Sequence, residues 1–295
     1  MATLRKTNLR KTIESSSRVI LLLSAMISII AVFLIIVFIL SQALPTLKQI
    51  SFKEFFFSTT WYPTQEPPHY GVASFIIASF EVTLFALILA IPVSLSTTIY
   101  LSQFAKNKLA KILRTSIELL AGIPSIIYGL FGLSAVVPFV RKVFGGNGMS
   151  LLSAGIILAI MILPTIINLS EVAVSNVSQD LINSSIAMGA TKWQTISRII
   201  IPSSISGIAS SVVLGLGRAI GETTAVLLVG GNAPVLAKRP IDMGRTLTMN
   251  IITDMAYATD THRSALFMTG ALLLFIILIL NLCVVQISKK QRLEK

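Results

Sequence analysis

A series of six long apolar segments is the feature that most constrains what this chain can fold into. The hydrocarbon core of a bilayer is crossed by an α-helix of roughly 20 mainly apolar residues. The chain is 54% hydrophobic and only 12% charged, whereas a soluble domain has about 25% charged residues. The sequence therefore predicts an all-α membrane protein with six transmembrane helices. The six segments are Val19–Leu40, Val72–Leu101, Ile117–Pro138, Leu151–Leu169, Ser203–Val229 and Ala265–Ile287.

The first apolar segment is expected to remain in the protein as a membrane helix. Basic residues precede it, as they do in a secretory signal peptide, but the apolar region of a signal peptide has only about 7–15 residues. The segment Val19–Leu40 is longer than that. The predicted regions are a tail at 1–18, a first helix at 19–41, an external connection at 42–71, a five-helix core at 72–287 and a tail at 288–295.

The distribution of basic residues indicates the orientation of the chain. Lys and Arg are concentrated in the cytoplasmic connections of membrane proteins. With the N-terminus inside, fifteen of the 24 basic residues fall in inner segments and eight in outer ones. We therefore expect a multi-pass protein of the cell (inner or plasma) membrane with both termini in the cytoplasm. Because topology accounts for most of the formal charge of +12, the bilayer is the expected partner and nucleic acid is not.

The polar segment between the fourth and fifth apolar segments carries a recognisable motif. It contains Gly189, followed by Ile199 and then Pro202. These residues resemble the cytoplasmic EAA loop of ABC importer permeases. In that loop, three residues separate Glu-Ala-Ala from the glycine. The positions that differ from that pattern are Asn183, Ser184 and Ser185.

The spacing of this coupling loop, residues 180–202, also has a physical interpretation. Asp180–Met188 predicts a short helix, and Gly189 supplies the turn at its end. Trp193–Ile201 predicts a second helix before the next span opens. Such an elbow presents small and apolar side chains, Ala190 among them, to a groove on a partner. We expect the coupling loop to dock on a separate ATPase.

The sequence shows no recognisable motif for binding ATP, holding a metal or catalysing a reaction. It contains no Gly-Lys dipeptide and therefore no Walker A loop. Its one cysteine, Cys283, and its two histidines, His69 and His262, form no metal-ligand pattern. We expect no cofactor on this chain and no enzymatic activity of its own, with ATP and Mg²⁺ bound by the partner ATPase.

Charged residues inside the predicted spans are costly and are therefore functional candidates. Arg218 and Glu222 lie four residues apart in the fifth span and are expected to share one helix face. Glu81 in the second span reaches the same layer. The residues fit a substrate path, in which the forked guanidinium binds an oxyanion, or a structural ion pair. We favour the path for Arg218 and Glu222 and leave Glu81 open. Gly217 and Gly221 are expected to pack against a second permease chain.

Four segments of the sequence resemble the phosphate importer permeases of the PstC type. The first two are Gly217–Thr223 and Val226–Asn232, which follow one another in the fifth span. The other two are Gly122–Gly132 in the third span and Arg245–Asn250 in the last external connection. The resemblance runs from about residue 70 to residue 287.

The resemblance implies a fold, a cargo and a set of partners. The fold is that of the type-1 permeases of ABC importers, and the cargo is inorganic phosphate delivered by an external, PstS-like phosphate-binding protein. A PstA-like second permease subunit and two copies of a PstB-like ATPase complete the complex. The conserved charged site of the family falls on Arg218 and Glu222. The residues by themselves indicate only a small anion.

Three other interpretations remain open from the sequence. An ABC permease for molybdate or sulfate shares the elbow. An ion-coupled secondary carrier uses Glu81 and Glu222 as a relay. A membrane signalling subunit senses external phosphate without moving it. An integral-membrane enzyme is the weakest interpretation, because the sequence contains no catalytic constellation.

Overall fold

The computed structural model confirms six helices that are long and apolar enough to cross a membrane. It describes the backbone of residues 2–293 and the side chains of residues 17–106, 108–283, 285 and 286. The basic side chains predicted for the tails, at 1–16 and 288–295, lie outside the described residues. The six spans are Ser17–Gln49, Ala73–Phe104, Ser125–Phe144, Leu151–Ser175, Lys192–Gly221 and Asp260–Cys283.

Shorter elements connect the spans at both ends of the bundle. We call the end that carries the coupling loop the Gly189 end and the opposite one the Trp61 end. In chain order the elements are α1 (Ala2–Gln49), α2 (Phe52–Phe57), β1 (Trp61–Tyr62), β2 (His69–Tyr70), α3 (Ala73–Ile99), α4 (Asn107–Gly122), α5 (Ser125–Phe131), α6 (Val137–Phe144), α7 (Leu151–Ser175), α8 (Gln179–Ala187), α9 (Lys192–Thr195), α10 (Ile201–Gly221), α11 (Thr224–Val229), α12 (Leu247–Asp254) and α13 (Asp260–Leu293).

The first span is longer than the sequence pattern predicts. Helix α1 continues through Pro45 and ends at Gln49, whereas the first helix was predicted to end at residue 41. The segment 42–49 is therefore helical and the connection begins after it. Helix α1 packs against α13 and exposes large apolar side chains along most of its length, as a lipid-facing helix does.

The third span begins later than predicted. The prediction at 117–138 merges two helices that the structure separates at Ile123 and Pro124, where the backbone is extended (ψ 128° and 142°). A proline disfavours helical backbone in the residue before it and donates no hydrogen bond. Helix α4 therefore ends at Gly122, and the span runs over 125–144. Helix α4 is fastened to α7 by Arg114, which donates hydrogen bonds of 2.8 and 2.6 Å to Glu171.

Helix α7 lies at the centre of the bundle. It runs to Ser175, beyond the predicted end at Leu169, and it packs mainly against α3 and α10. The small residues Gly155 and Gly215 allow close approach, because a Cβ on either would lie within 3 Å of a neighbouring side chain. Lipid tails are as apolar as these side chains, so close packing rather than transfer from water holds the helices together.

Candidate functional site: a mid-membrane arginine and an exposed elbow

Arg218 and Glu222 do not share a helix, contrary to the sequence prediction. Helix α10 ends at Gly221, and Glu222 has extended backbone (φ −71°, ψ 137°). The fifth apolar segment, predicted as one span at 203–229, is therefore two helices, α10 and α11. Among the described residues, no ion pair joins Arg218 to Glu222. The shared helix face expected from their spacing is therefore wrong, and the alternative of a structural ion pair between them is not seen in this conformation.

The partner of Arg218 is a neutral side chain on the fourth span. Nη1 of Arg218 donates a hydrogen bond of 3.0 Å to Oγ1 of Thr165. Thr165 follows Pro164 within α7. Arg218 is exposed at the surface of the chain, and none of the ion pairs among the described residues joins it to a carboxylate. Sequence analysis missed Thr165, although a hydroxyl inside a span is a recognisable hydrogen-bond partner for a charged side chain.

Glu222 instead caps the N-terminus of the next helix, α11. Its Oε1 accepts a hydrogen bond of 3.1 Å from the backbone N–H of Ala225, which satisfies a free donor in the first turn of α11. Its backbone oxygen accepts one of 2.8 Å from Thr248. A carboxylate is favourable at a helix N-terminus, and this explains why Glu222 turns away from Arg218.

Glu81 lies on another side of its helix. Ser79 and Thr83, on α3, line a small cavity together with Glu222. Helix α3 therefore reaches the level of Glu222, as predicted, but it does so through Ser79 and Thr83. Glu81 is about 200° around the helix from both of these residues. Glu81 is half-buried and does not line that cavity.

Gly217 and Gly221 have open space where a side chain would lie. A Cβ placed on either meets no atom within 4 Å. Packing against a second permease chain stays a prediction. Their side of α10 is open, as is the side that bears Arg218.

The coupling loop is an elbow with only one separate helix. Helix α8 confirms the short helix expected at 180–188, and Gly189 follows it with a φ of +82°. The second helix expected at 193–201 does not stand apart, because α9 continues through a π-helical turn at 196–200 into α10. Pro202 lies just after this π-helical turn, inside the continuous helical span Lys192–Gly221.

The elbow is held from within and from the second span. Ser185 and Thr195 are joined by a hydrogen bond of 2.9 Å between their hydroxyls. Lys192 donates to the backbone oxygen of Gln103, and its Nζ lies 4.4 Å from the ring centroid of Phe104. The elbow is therefore attached directly to the end of the second span.

The tip of the elbow is exposed and partly apolar. Met188 is 88% exposed and Trp193 is 63% exposed. Exposed apolar side chains that lie together are candidates for contact with a partner, and docking of an ATPase on this tip stays a prediction. Of the other predicted loop residues, Asn183 and Ser184 are exposed, and Ser185, Ala190 and Ile199 are partly buried.

A polar cluster at the Trp61 end was not predicted as a unit. Arg245 donates hydrogen bonds of 3.1 Å to Asn250 and to Oδ1 of Asp254. Oδ2 of Asp254 accepts one of 2.9 Å from the indole N–H of Trp61 and lies 3.4 Å from His262. Burial lowers the pKa of the Arg245 guanidinium, and the charge and hydrogen bond of Asp254 oppose that shift. Only the Arg245–Asn250 segment was visible as a motif, because its partners are distant in sequence.

Comparison with known proteins supplies the family. A family model described as a binding-protein-dependent transport system inner membrane component matches residues 90–293. The probable ABC transporter permease protein YqgH of Bacillus subtilis is 36% identical over 96% of this chain and 93% of that protein. The phosphate transport system permease protein PstC of Xylella fastidiosa (strain Temecula1) is 35% identical over 82% of both chains. PstC of Haemophilus influenzae is 34% identical over 81% of this chain and 82% of its own.

Solved structures share the fold. The inward-facing MetNI methionine ABC transporter is 21% identical, with a TM-score of 0.56, over 75% of this chain and 94% of that one. A bacterial alginate ABC transporter, solved with an alginate-bound periplasmic protein, is 17% identical, with a TM-score of 0.57, over 92% and 94% of the two chains.

The six spans and their arrangement therefore define the fold of a type-1 ABC importer permease, and the chain is a multi-pass inner-membrane protein. It belongs to the family of binding-protein-dependent transport system inner membrane components and, within that family, to the PstC-type permeases.

Proposed function

We propose that this chain is a translocating permease subunit of an ATP-driven importer of inorganic phosphate. Relatives named phosphate transport permeases support the cargo. The observation that carries the proposal is the exposed charge of Arg218, which is held by the neutral hydroxyl of Thr165. A guanidinium presents its donors as a planar fork that matches two oxygens of a phosphate. A neutral partner positions this fork without competing for the anion.

The exposed elbow supports an ATPase as the source of energy. Met188 and Trp193 offer apolar side chains to a groove on another chain. Lys192 links the same elbow to the second span, so a displacement of the elbow moves a membrane helix. The chain is proposed to hold no cofactor of its own, with ATP and Mg²⁺ bound by the ATPase.

The remaining partners and the orientation follow from this assignment. A PstA-like permease faces the open side of α10, where Gly217 and Gly221 lie uncovered. A PstS-like phosphate-binding protein delivers phosphate to the Trp61 end, which faces outward. The Gly189 end and both termini then face the cytoplasm, as the distribution of basic residues predicts.

Reconstituted transport tests the proposed function. Proteoliposomes that contain this chain, its sister permease, the ATPase and the binding protein are expected to take up labelled phosphate only with ATP. Arg218→Ala is expected to abolish uptake while the complex still assembles, and Arg218→Lys to retain a small part, because a lysine keeps the charge without the fork. Uptake by this chain alone, driven by a proton gradient, would contradict the proposal.

Competition identifies the cargo. Unlabelled phosphate is expected to suppress the uptake, and molybdate and sulfate are expected to leave it unchanged at equal concentration. Stronger suppression of labelled-phosphate uptake by molybdate or sulfate than by unlabelled phosphate would reassign the permease to another oxyanion.

Cross-linking tests the docking surface. Ala190→Cys, in a chain whose Cys283 is replaced by Ser, is expected to form an adduct with the ATPase in an active complex. Leu84→Cys, on an exposed apolar part of α3, serves as the control. An active complex in which the two positions cross-link equally poorly rules out docking at the elbow.

A further inference from the structure

A cavity lies between the first and the last span at the Trp61 end. One wall is formed by the last turns of α1, which contribute Gln42 and Gln49, and the other by the first turn of α13, which contributes Asp260 and Arg263. The cavity has a volume of about 570 Å³, whereas a water molecule occupies about 30 Å³ in the liquid. It therefore has room for a group much larger than a water molecule.

Two contacts between α1 and α13 border this cavity. Gln49 and Thr261, which both line it, are joined by a hydrogen bond between their side chains. Phe38 also lines it and meets Phe267 edge-on, with the ring centroids 5.7 Å apart. The residues from Phe38 to Gln49 extend roughly 16 Å along a helix. The cavity therefore follows the seam between the two helices over about three turns.

The cavity lies at the level of the lipid headgroups. The apolar segment Val19–Leu40 is long enough for the hydrocarbon core, which a helix of roughly 20 residues crosses. Helix α1 continues beyond that segment to Gln49, and these last turns supply polar residues to the cavity. The opposite wall is the first turn of α13, where the last span begins. Both walls are therefore the ends of spans at one membrane surface.

The α1 side of the cavity changes from polar to apolar toward the middle of the membrane. Gln42 is followed in that direction by Phe38 and then by Leu34 and Ile35, three or four residues apart, so they project from one side of the helix. Leu34 is 59% exposed and Ile35 is 56% exposed. A phospholipid has its polar headgroup and its acyl chains in the same order across the bilayer.

Two charges of opposite sign lie on the α13 wall. Asp260 and Arg263 are both exposed and are about one turn apart, and none of the ion pairs among the described residues includes either of them. A guanidinium presents a planar fork that matches two oxygens of a phosphodiester, and a carboxylate accepts hydrogen bonds from an ammonium group. The wall therefore complements a ligand that carries both groups.

We propose that this cavity binds a phospholipid with a zwitterionic headgroup, such as phosphatidylethanolamine. The phosphodiester binds Arg263, the ammonium group binds Asp260, and the acyl chains lie along α1 beside Leu34 and Ile35. Phosphatidylglycerol has the phosphodiester but no ammonium group for Asp260, so it binds less tightly. The lipid fills the seam through which α1 packs against α13. This inference does not depend on which substrate the permease carries.

Lipid retention tests the site. The complete complex is equilibrated with equal amounts of phosphatidylethanolamine and phosphatidylglycerol, washed in mild detergent and analysed by native mass spectrometry. It is expected to retain at least fivefold more phosphatidylethanolamine. Arg263→Gln is expected to lower the retention of both lipids at least fivefold, and Asp260→Asn to abolish the preference. Lys142→Gln, at an exposed lysine outside the cavity, is the control and is expected to change neither. Equal retention by the unmodified and the Arg263→Gln complexes overturns the site.

A second variant keeps both charges and narrows the cavity from its other wall. Gln42 is exposed, so Gln42→Trp is expected to leave the assembly of the complex intact while the larger side chain takes the place of the lipid. Retention of phosphatidylethanolamine is expected to fall at least fivefold. Full retention by an assembled Gln42→Trp complex overturns the site.

Two other occupants are distinguished by further measurements. Inorganic phosphate shares the chemistry of the phosphodiester, and it is expected to leave the retained lipid in place. In a Cys283→Ser background, a benzophenone attached to Gln42→Cys is expected to form a light-induced adduct with phospholipid. Displacement of the lipid by inorganic phosphate would make the cavity a site for the free anion, and an adduct with the sister permease would assign this face to that chain. Either result overturns the lipid site.

Discussion

The indole N–H of Trp61 donates a hydrogen bond of 2.9 Å to Asp254, a residue 193 positions later in the chain. The other carboxylate oxygen of Asp254 accepts from Arg245 at 3.1 Å. Trp61 and Asp254 thereby fasten the segment between the first two spans to the segment before the last one. Trp61 is 2% exposed, so this bond lies in a largely dry region, where hydrogen bonds are strong.

Asp254→Asn is expected to destabilise the protein by on the order of 3 kcal/mol, because it leaves the guanidinium of Arg245 without its counter-charge in a mostly buried site. The measurement is the melting temperature of the detergent-solubilised complex. Asp242→Asn is the matched control, since Asp242 pairs with the exposed Arg239 and an exposed ion pair contributes little to stability. Equal shifts for the two variants would contradict a special role of Asp254.

Thr165→Val is expected to reduce the maximal rate of phosphate uptake by about tenfold. The change keeps the shape of the side chain and removes the oxygen that accepts from Arg218, and a hydrogen bond to a charged group contributes about 1.5–3 kcal/mol. Thr165→Ser retains the hydroxyl and is expected to transport normally. If valine and serine have the same effect, the hydroxyl of Thr165 does not position the arginine.

Gly189→Val is expected to uncouple ATP hydrolysis from phosphate uptake. Gly189 has a φ of +82°, a backbone conformation that costs a residue with a Cβ about 1–2 kcal/mol and a β-branched residue more. A Cβ there meets nothing within 4 Å, so the cost is conformational. Asparagine tolerates this conformation, and Gly189→Asn is therefore expected to stay coupled. The assay compares phosphate uptake with ATP hydrolysis, and a coupled Gly189→Val would show that the turn is not required.

Glu222→Gln is expected to retain phosphate uptake, whereas Glu222→Ala is expected to lower it severalfold. The glutamine keeps an oxygen that accepts from the N–H of Ala225, and the alanine removes it. The loss of such a cap costs about 1 kcal/mol. Inactivity of the glutamine variant together with proton-driven uptake by the unmodified chain would favour the ion-coupled carrier, in which the carboxylate must exchange a proton.

The number and approximate position of the spans were predictable because, in a bilayer, each span is determined by its own residues. Each span must satisfy its own backbone hydrogen bonds and must be apolar over its own length, so runs of residues suffice to find it. The ends were less predictable. A helix can extend beyond its apolar segment, as α1 does to Gln49. Conversely, Pro124 divides one continuous apolar segment into two helices.

The candidate site was only partly predictable. The motif spacing predicts a turn at Gly189, and the structure has a positive φ there. The free-energy cost of a charge in a membrane span marks Arg218 as a candidate, and the structure places it in the last turn of α10. The prediction that Arg218 and Glu222 share a helix face was wrong, because the four-residue rule assumes that the helix continues beyond Gly221. The chain instead leaves the helix there, and Glu222 binds the N-terminus of α11.

The sequence by itself determined the class of the protein, the six membrane helices and the elbow, since hydropathy, turn residues and motif spacing are properties of short segments. The tertiary structure decided which polar groups meet. The contacts of Arg218 with Thr165 and of Trp61 with Asp254 join residues far apart in the chain. Such contacts depend on the rotation and register of packed helices, which many weak side-chain contacts fix together.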